Sequence, residues 1–378
     1  MSIVIDDKKI TNINISNKNV QKIVDIPTGK IIFEKKKPVS NEYFYIENAY
    51  DGINTISLKT TIGPDYTTGS NATQLQYSKD KKTWKTITLN GTNTISMNSG
   101  ERVYFRNDNG FFNWYSVFRD NFYTQINCSN NHKVGGNINT LLDYKNPNVA
   151  ITPYCFYLLF YENKYLIDAS ELIFPKTSLA NNCYYSMFRD CTSLTTAPIE
   201  LPSTTLANNC YESMFNGCKS LTTAPALPAT TLVENCYQYM FLVCTSLTTA
   251  PELPSTTLAS NCYQSMFNGC TSLTTAPALP ATTLAGSCYS HMFQGCTSLT
   301  TAPELPATTL ARYCYEWMFK NCASLNSITV YANDISASDC TYSWLLGVAS
   351  TGTFRNLGSA TYSRDASGIP AGWTEVRN

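Results

Sequence analysis

The run Leu247-Thr-Thr-Ala-Pro-Glu-Leu-Pro-Ser-Thr-Thr-Leu-Ala-Ser-Asn-Cys-Tyr-Gln-Ser-Met-Phe-Asn-Gly-Cys-Thr-Ser272 decides how this chain folds, because at Leu273 it starts again. Copies open at Leu194, Leu221, Leu247, Leu273 and Leu299, each 26 residues long except the first, which carries one extra residue around Ile199 and Glu200. A fixed period in this range marks a solenoid: one unit cannot bury its own apolar face, and stacking on its neighbours supplies the core. Within a unit Leu258, Cys262, Met266 and Cys270 recur every fourth residue, with Tyr263 and Phe267 beside them, while Ser260, Asn261, Gln264, Ser265 and Asn268 fill the other half. That pattern predicts a short amphipathic helix packed inwards on one side. Leu-Thr-Thr-Ala is short and β-branched, and the proline after it lacks the N–H that a ladder needs, so one brief strand rung per unit is expected.

Outward from the repeat, composition narrows the function. Charged residues make up 14% of the chain and the formal net charge is zero, which leaves no electrostatic footprint for nucleic acid or an anionic membrane. No run approaches the length of apolar sequence that a membrane helix needs, and the opening Met1-Ser-Ile-Val-Ile-Asp-Asp lacks the apolar stretch of a signal peptide. The expectation is a chain without membrane insertion, not exported by the usual secretory route. Fifteen cysteines suggest a disulfide framework until their spacing is read. Eight form one column from Cys155 to Cys340 and six another from Cys191 to Cys322, with Cys128 outside both. Across a helix, the step from first to second column is roughly 12 Å, too far for a bridge within a unit. With two histidines in the chain and no paired Cys-x2-4-Cys spacing, a zinc site is not expected either, nor any other cofactor. The cysteines read as reduced, buried small hydrophobes.

Leu-Pro-Ala-Thr-Thr-Leu-Ala followed by Cys-Tyr-x-x-Met-Phe-x-x-Cys-Thr-Ser-Leu-Thr resembles the BspA-type leucine-rich repeats, over about half the chain. That resemblance implies a right-handed solenoid with a parallel sheet on one face and short helices on the other, commonly on surface proteins that attach to cells. The segment from Cys155 to Asn182, with Asn163 and Leu166 in repeat columns, reads as a degenerate N-terminal cap. Trp344 in the methionine column, Val348 in the second cysteine column, and Phe354, Ile369 and Trp373 read as the opposite cap. The tail resembles endings that follow such repeats in bacterial and phage proteins.

The N-terminal half reads as strands. Residues 1–38 alternate apolar and polar from Ile3 to Phe33, carry eight lysines against four acids, and end in Lys35-Lys36-Lys37-Pro38, a linker. Within them Val20-Gln-Lys-Ile-Val and Gly29-Lys-Ile-Ile-Phe-Glu-Lys resemble small N-terminal modules of phage structural and tail proteins, which implies attachment to a particle. Residues 39–150 hold runs such as Thr55-Ile-Ser-Leu and Arg102-Val-Tyr-Phe-Arg between Gly, Asn and Asp, the pattern of a β-sandwich. The turn Tyr77-Ser-Lys-Asp-Lys-Lys-Thr-Trp84 resembles an Asp-box hairpin, one residue short and without its glycine; the usual work of that motif is to hold a turn. The expected fold is thus mainly β with short helices: a β anchoring module at 1–38, a β-sandwich-like domain at 39–150, a leucine-rich-repeat solenoid at 151–339 and a cap at 340–378.

No nucleophile with a base and no carboxylate pair is evident, so an enzyme is not expected. His132 reads as an exposed loop residue and His291 as a water-facing one. Binding is easier to place, because a solenoid repeats a frame and varies a few columns. Three positions past the first cysteine stand Ser186, Ser213, Tyr239, Ser265, His291 and Trp317. Leu242 and Val243 replace a polar pair next to Tyr239, and Arg312 and Tyr313 precede Trp317. These two clusters are the candidate contact surfaces, either for local packing or for a receptor or glycan; threonine rows on the strand face such as Thr222, Thr248, Thr274 and Thr300 are a third. The resemblances together imply a bacteriophage virion protein, a tail fibre or decoration, docked on other virion proteins through its N-terminal region. Its solenoid would meet a bacterial surface glycan or protein, and the fibre analogy implies a homo-oligomer, a trimer. The alternative is a BspA-like adhesin on a bacterial cell surface.

Overall fold

The computed structural model describes residues 22–24, 31–34, 42–61, 74–89, 91–108, 114–115 and 121–377. Two compact units divide it, Met1–Val39 and Ser40–Asn378. In the first, β1 (Lys22–Val24) pairs antiparallel with β2 (Ile31–Glu34). The other strands expected there, from Ile3 to Ile15, and the Lys35–Pro38 linker lie outside the described residues.

The second unit continues with β3 (Phe44–Asn48), β4 (Asn54–Thr61), β5 (Gln74–Ser78), β6 (Lys85–Thr88), β7 (Thr92–Met97), β8 (Arg102–Arg106), β9 (Trp114–Tyr115), β10 (Asn121–Cys128), β11 (His132–Asn137) and β12 (Leu166–Ile173). They form a four-stranded sheet, β7-β4-β10-β9, and a six-stranded one, β12-β11-β3-β8-β5-β6. Strict alternation decides which face is buried: Ile56 and Leu58 on β4, Val103 and Phe105 on β8, and Phe44 and Ile46 on β3 belong to one apolar cluster. That cluster runs on without a break into the repeats. The sheet does too, because β12 belongs to the first, degenerate repeat and pairs in parallel with β11. Gly135 on β11 is required there: a Cβ would fall on the Tyr45 ring that lies across it.

The repeats differ from expectation on one side. No helix forms between the two cysteine columns; the one short helix among the described residues is a 3-10 turn at Ile138–Leu141. Every fourth residue on that side is left-handed, for example Asn261 (φ 56°), Ser265 (φ 54°) and Gly269 (φ 74°). The chain there is a row of linked turns. Alternate N–H groups close turns within the repeat, as in Cys262→Ala259, Gln264→Asn261 and Met266→Tyr263. The intervening ones cross to the next repeat, as in Tyr263→Cys288, Ser265→Ser290 and Phe267→Met292.

Spacing explains why. Parallel one-residue bridges on the strand side, Thr196↔Thr223↔Thr249↔Thr275, tie successive repeats at the strand separation of about 4.8 Å. Packed helices would need about 8–10 Å. The linked turns match the rungs, with buried Phe and Tyr rings stacked repeat on repeat at 5.1–6.1 Å between centroids. Where the first copy is longer, the surplus falls between the bridges of Thr196 and Glu200, and Ile199 stands out exposed.

All fifteen cysteines are buried and free. Those of the second column donate S–H to the phenylalanine carbonyl of the repeat before, as Cys270 does to Phe241 at 3.1 Å and Cys322 to Phe293 at 2.9 Å. Both ends of the stack are closed. Ile126 N–H on β10 donates to Leu159 O of the first repeat. At the far end β13 (Ser327–Val330), β14 (Gly352–Asn356) and β15 (Trp373–Arg377) form a parallel sheet, and Trp344 stacks on Tyr315 and Tyr362 while its indole N–H meets Gly368 O.

Candidate functional site

The column three residues past the first cysteine is not an outward helix face. Its small members are buried, Ser186, Ser213 and Ser265 among them, and its large members, Tyr239, His291 and Trp317, rise half-buried from the same base. Tyr239 therefore stands between Ser213 of the repeat before and Ser265 of the repeat after, and among the described residues no ring contact involves it. Next to it, Leu242 is half-buried and Val243 is exposed. Val243 holds φ 59°, where sister repeats carry Gly217, Gly269 and Gly295. A β-branched residue in the left-handed region is a true outlier.

Sequence reasoning missed the neighbour of this group. Glu212, one position before Ser213, is only 9% exposed. Burial pushes its carboxyl up to about 7, against the lowering effect of hydrogen bonds with Asn209 and Tyr185. Tyr185 and Tyr239 are in turn shifted upward, each mainly by burial and next by the Glu212 charge. Tyr185 stacks at 5.3 Å on Tyr157, which meets Tyr154 and Tyr123 edge-on. The signal was present in the repeat comparison, since glutamate stands at 212 and 316 where other copies have Gln238, Gln264 or Ser290.

In the second cluster Arg312 is exposed, lies over the Tyr313 ring at 4.5 Å and donates to its hydroxyl at 2.9 Å. Trp317 is enclosed by its own neighbours: His291 from the repeat before at 4.8 Å, Tyr342 from the repeat after at 6.4 Å, and the Lys320 ammonium 3.7 Å from the ring centre. Little of its face is left for a ligand. His291 is half-buried, with Nδ1 2.6 Å from Ser290 Oγ, and its pKa is pushed down by burial and then by Lys320. Thr248, Thr274 and Thr300 are exposed on the strand side, and Thr222 is half-buried.

His132 corrects the expectation of a solvated loop residue: it lies on β11, fully buried. Its Nδ1 meets Asn130 O and its Nε2 meets the Asn163 amide nitrogen, both at 3.0 Å. A carbonyl only accepts and an amide nitrogen only donates, so the ring is neutral with its proton on Nδ1. Burial pushes its pKa down to about 4. It ties β11 to the first repeat. The Asp-box-like turn is likewise structural, with Asp80 accepting from the backbone N–H groups of Lys82 and Thr83 and from the Ser78 hydroxyl. On the outer face of the six-stranded sheet the rings are matched with the chain's own cations: Arg106 lies over Trp84 and Tyr144, Arg102 over Tyr45, Lys81 over Tyr104. Among the described residues no group of three His, Cys, Asp or Glu side chains could hold a metal ion, and no helix is long and apolar enough to cross a membrane. No protein-family model, curated protein or solved structure matches the chain.

Proposed function

We propose that this chain is a non-enzymatic bacteriophage virion protein, docked on the particle through residues 1–38. Its repeats, read as a BspA-type leucine-rich-repeat solenoid, would meet the host cell surface. One observation carries the reading: a frame of invariant buried columns supports one column that changes from Ser213 to Tyr239, Ser265, His291 and Trp317 in successive repeats. Varying a few surface positions on a fixed repeat frame is how solenoids acquire binding faces. The leucine-rich reading rests on the fully buried leucine column, Leu194 to Leu325, and the parallel threonine bridges, since the turn side is not helical.

The test is binding of the full chain to bacterial cells with and without their capsules, beside a chain starting at Ser40. That cut respects the boundary between compact units, whereas a cut between residues 150 and 151 would split the sheet shared by β11 and β12. Equal binding by both chains is expected, with the 1–39 piece retained by purified particles. Absence of binding to every strain would leave a purely structural place in a particle as the better account.

A further inference from the structure

The repeat that opens at Leu221 departs from its own frame at three neighbouring positions. Tyr239 stands where flanking copies have serine, and Leu242-Val243 where they have Asn216-Gly217 and Asn268-Gly269. Val243 stays partly exposed, and it holds a left-handed backbone that costs a β-branched residue about 1 kcal/mol or more. Strain kept where sister repeats carry glycine points towards a use of the side chain.

We propose that Tyr239, Leu242 and Val243, with Glu212 of the preceding repeat, form a subsite for one hexopyranose ring of a neutral surface polysaccharide. This rests on the host-surface reading given above and names the class of its ligand. Each part of the geometry suits such a ring. Tyr239 has serines on both flanks and, among the described residues, no ring stacked on it, so its electron-rich ring suits the weakly positive C–H face of a sugar. Leu242 and Val243 extend that apolar floor. The carboxyl of Glu212, which burial keeps protonated to about pH 7, and its partners Asn209 and Tyr185 offer donors and acceptors for hydroxyl groups. Arg189 and Asp190, in the repeat before Glu212, face each other at 3.4 Å, which weakens the pull of either on an ionic ligand. The apolar area, two aliphatic side chains and one ring, is too small to hold an amphipathic helix, which needs several anchors.

The experiment passes the full-length protein over immobilised neutral glucan, mannan, galactan and rhamnan on a biosensor. At least one should be held, and Tyr239→Ala should weaken it about tenfold or more. Val243→Gly restores the residue of the sister repeats, so it should melt at a higher temperature than the natural chain yet bind less tightly. Around Glu212 the groups that face it are Asn209 in its own repeat, Tyr185 before it with Arg189 beyond, and Tyr239 after it. Ionisation of Glu212 should weaken binding between about pH 6 and about pH 8, and Glu212→Gln should remove that dependence. Unchanged binding by Tyr239→Ala overturns the proposal. So does a chain that holds none of the four polysaccharides while its repeats still retain cells, an outcome that leaves the host-surface reading intact; failure to retain cells as well removes both.

Discussion

His132 and Glu212 place opposite pH dependences in one molecule. His132 has a folded pKa of about 4 against an ordinary 6.5, so the unfolded chain takes up a proton first as pH falls between those values. Its share of stability is complete above about 6.5 and shrinks through that window, by up to about 3 kcal/mol. Denaturant unfolding at neutral and mildly acidic pH should show the loss, and His132→Gln should reduce the difference. Glu212 has its folded pKa raised to about 7 from 4.5, so the folded chain holds the proton longer. Its share is present below about 4.5 and is lost as pH rises through 7, and Glu212→Gln should therefore be more stable than the natural chain on the alkaline side. The thiols give a third check at this scale. Burial raises the pKa of Cys262 and Cys270 to about 12, so a thiol reagent should label neither in the folded protein and both after unfolding.

The linked turns are the element in which the sequence was most and least legible. The apolar pairs Cys262-Tyr263 and Met266-Phe267 correctly mark what is buried. Their strict spacing of four, which drifts around a helix of 3.6 residues per turn, was the sign against a helix. So was the polar and glycine spacing: Asn261, Ser265 and Gly269 fall at the left-handed positions, and Asn182, Asn209 and Asn235 open the same series in other repeats. Replacing Asn261 by valine should cost about 1–2 kcal/mol for the left-handed backbone, read by denaturant midpoint. Far-ultraviolet circular dichroism of the chain should lack the helical double minimum. Strands with clean alternation, such as β4 and β8, were readable from Thr55-Ile-Ser-Leu and Arg102-Val-Tyr-Phe-Arg. β11 was not, because Gly135 and Gly136 interrupt its pattern and its partners lie far off in sequence. The same limit hid Glu212, whose burial comes from neighbouring repeats.

In the repeats of the second unit, order along the chain becomes order along the stack. Deleting residues 247–272 removes one period and rejoins identical columns, so the shortened chain should fold, with a smaller denaturant dependence and reduced stability. The inter-repeat hydrogen bonds have a further consequence. The peptide joining Met266 to Phe267 accepts from Phe241 through its carbonyl and donates to Met292 through its N–H, and the peptides of Ser290-His291 and Gln294-Gly295 do likewise. Peptide groups thus stand head to tail in files, every N–H aimed towards the last repeat. Each group carries a dipole of about 3.5 D, and aligned files add. The stack is electrically polar in the sense opposite to a helix, positive towards its C-terminal end, where Ser367 Oγ accepts from Ser343 N–H and Asp365 stands two residues away. The backbone of the stack thus carries a dipole along its axis that no side-chain substitution on its surface removes.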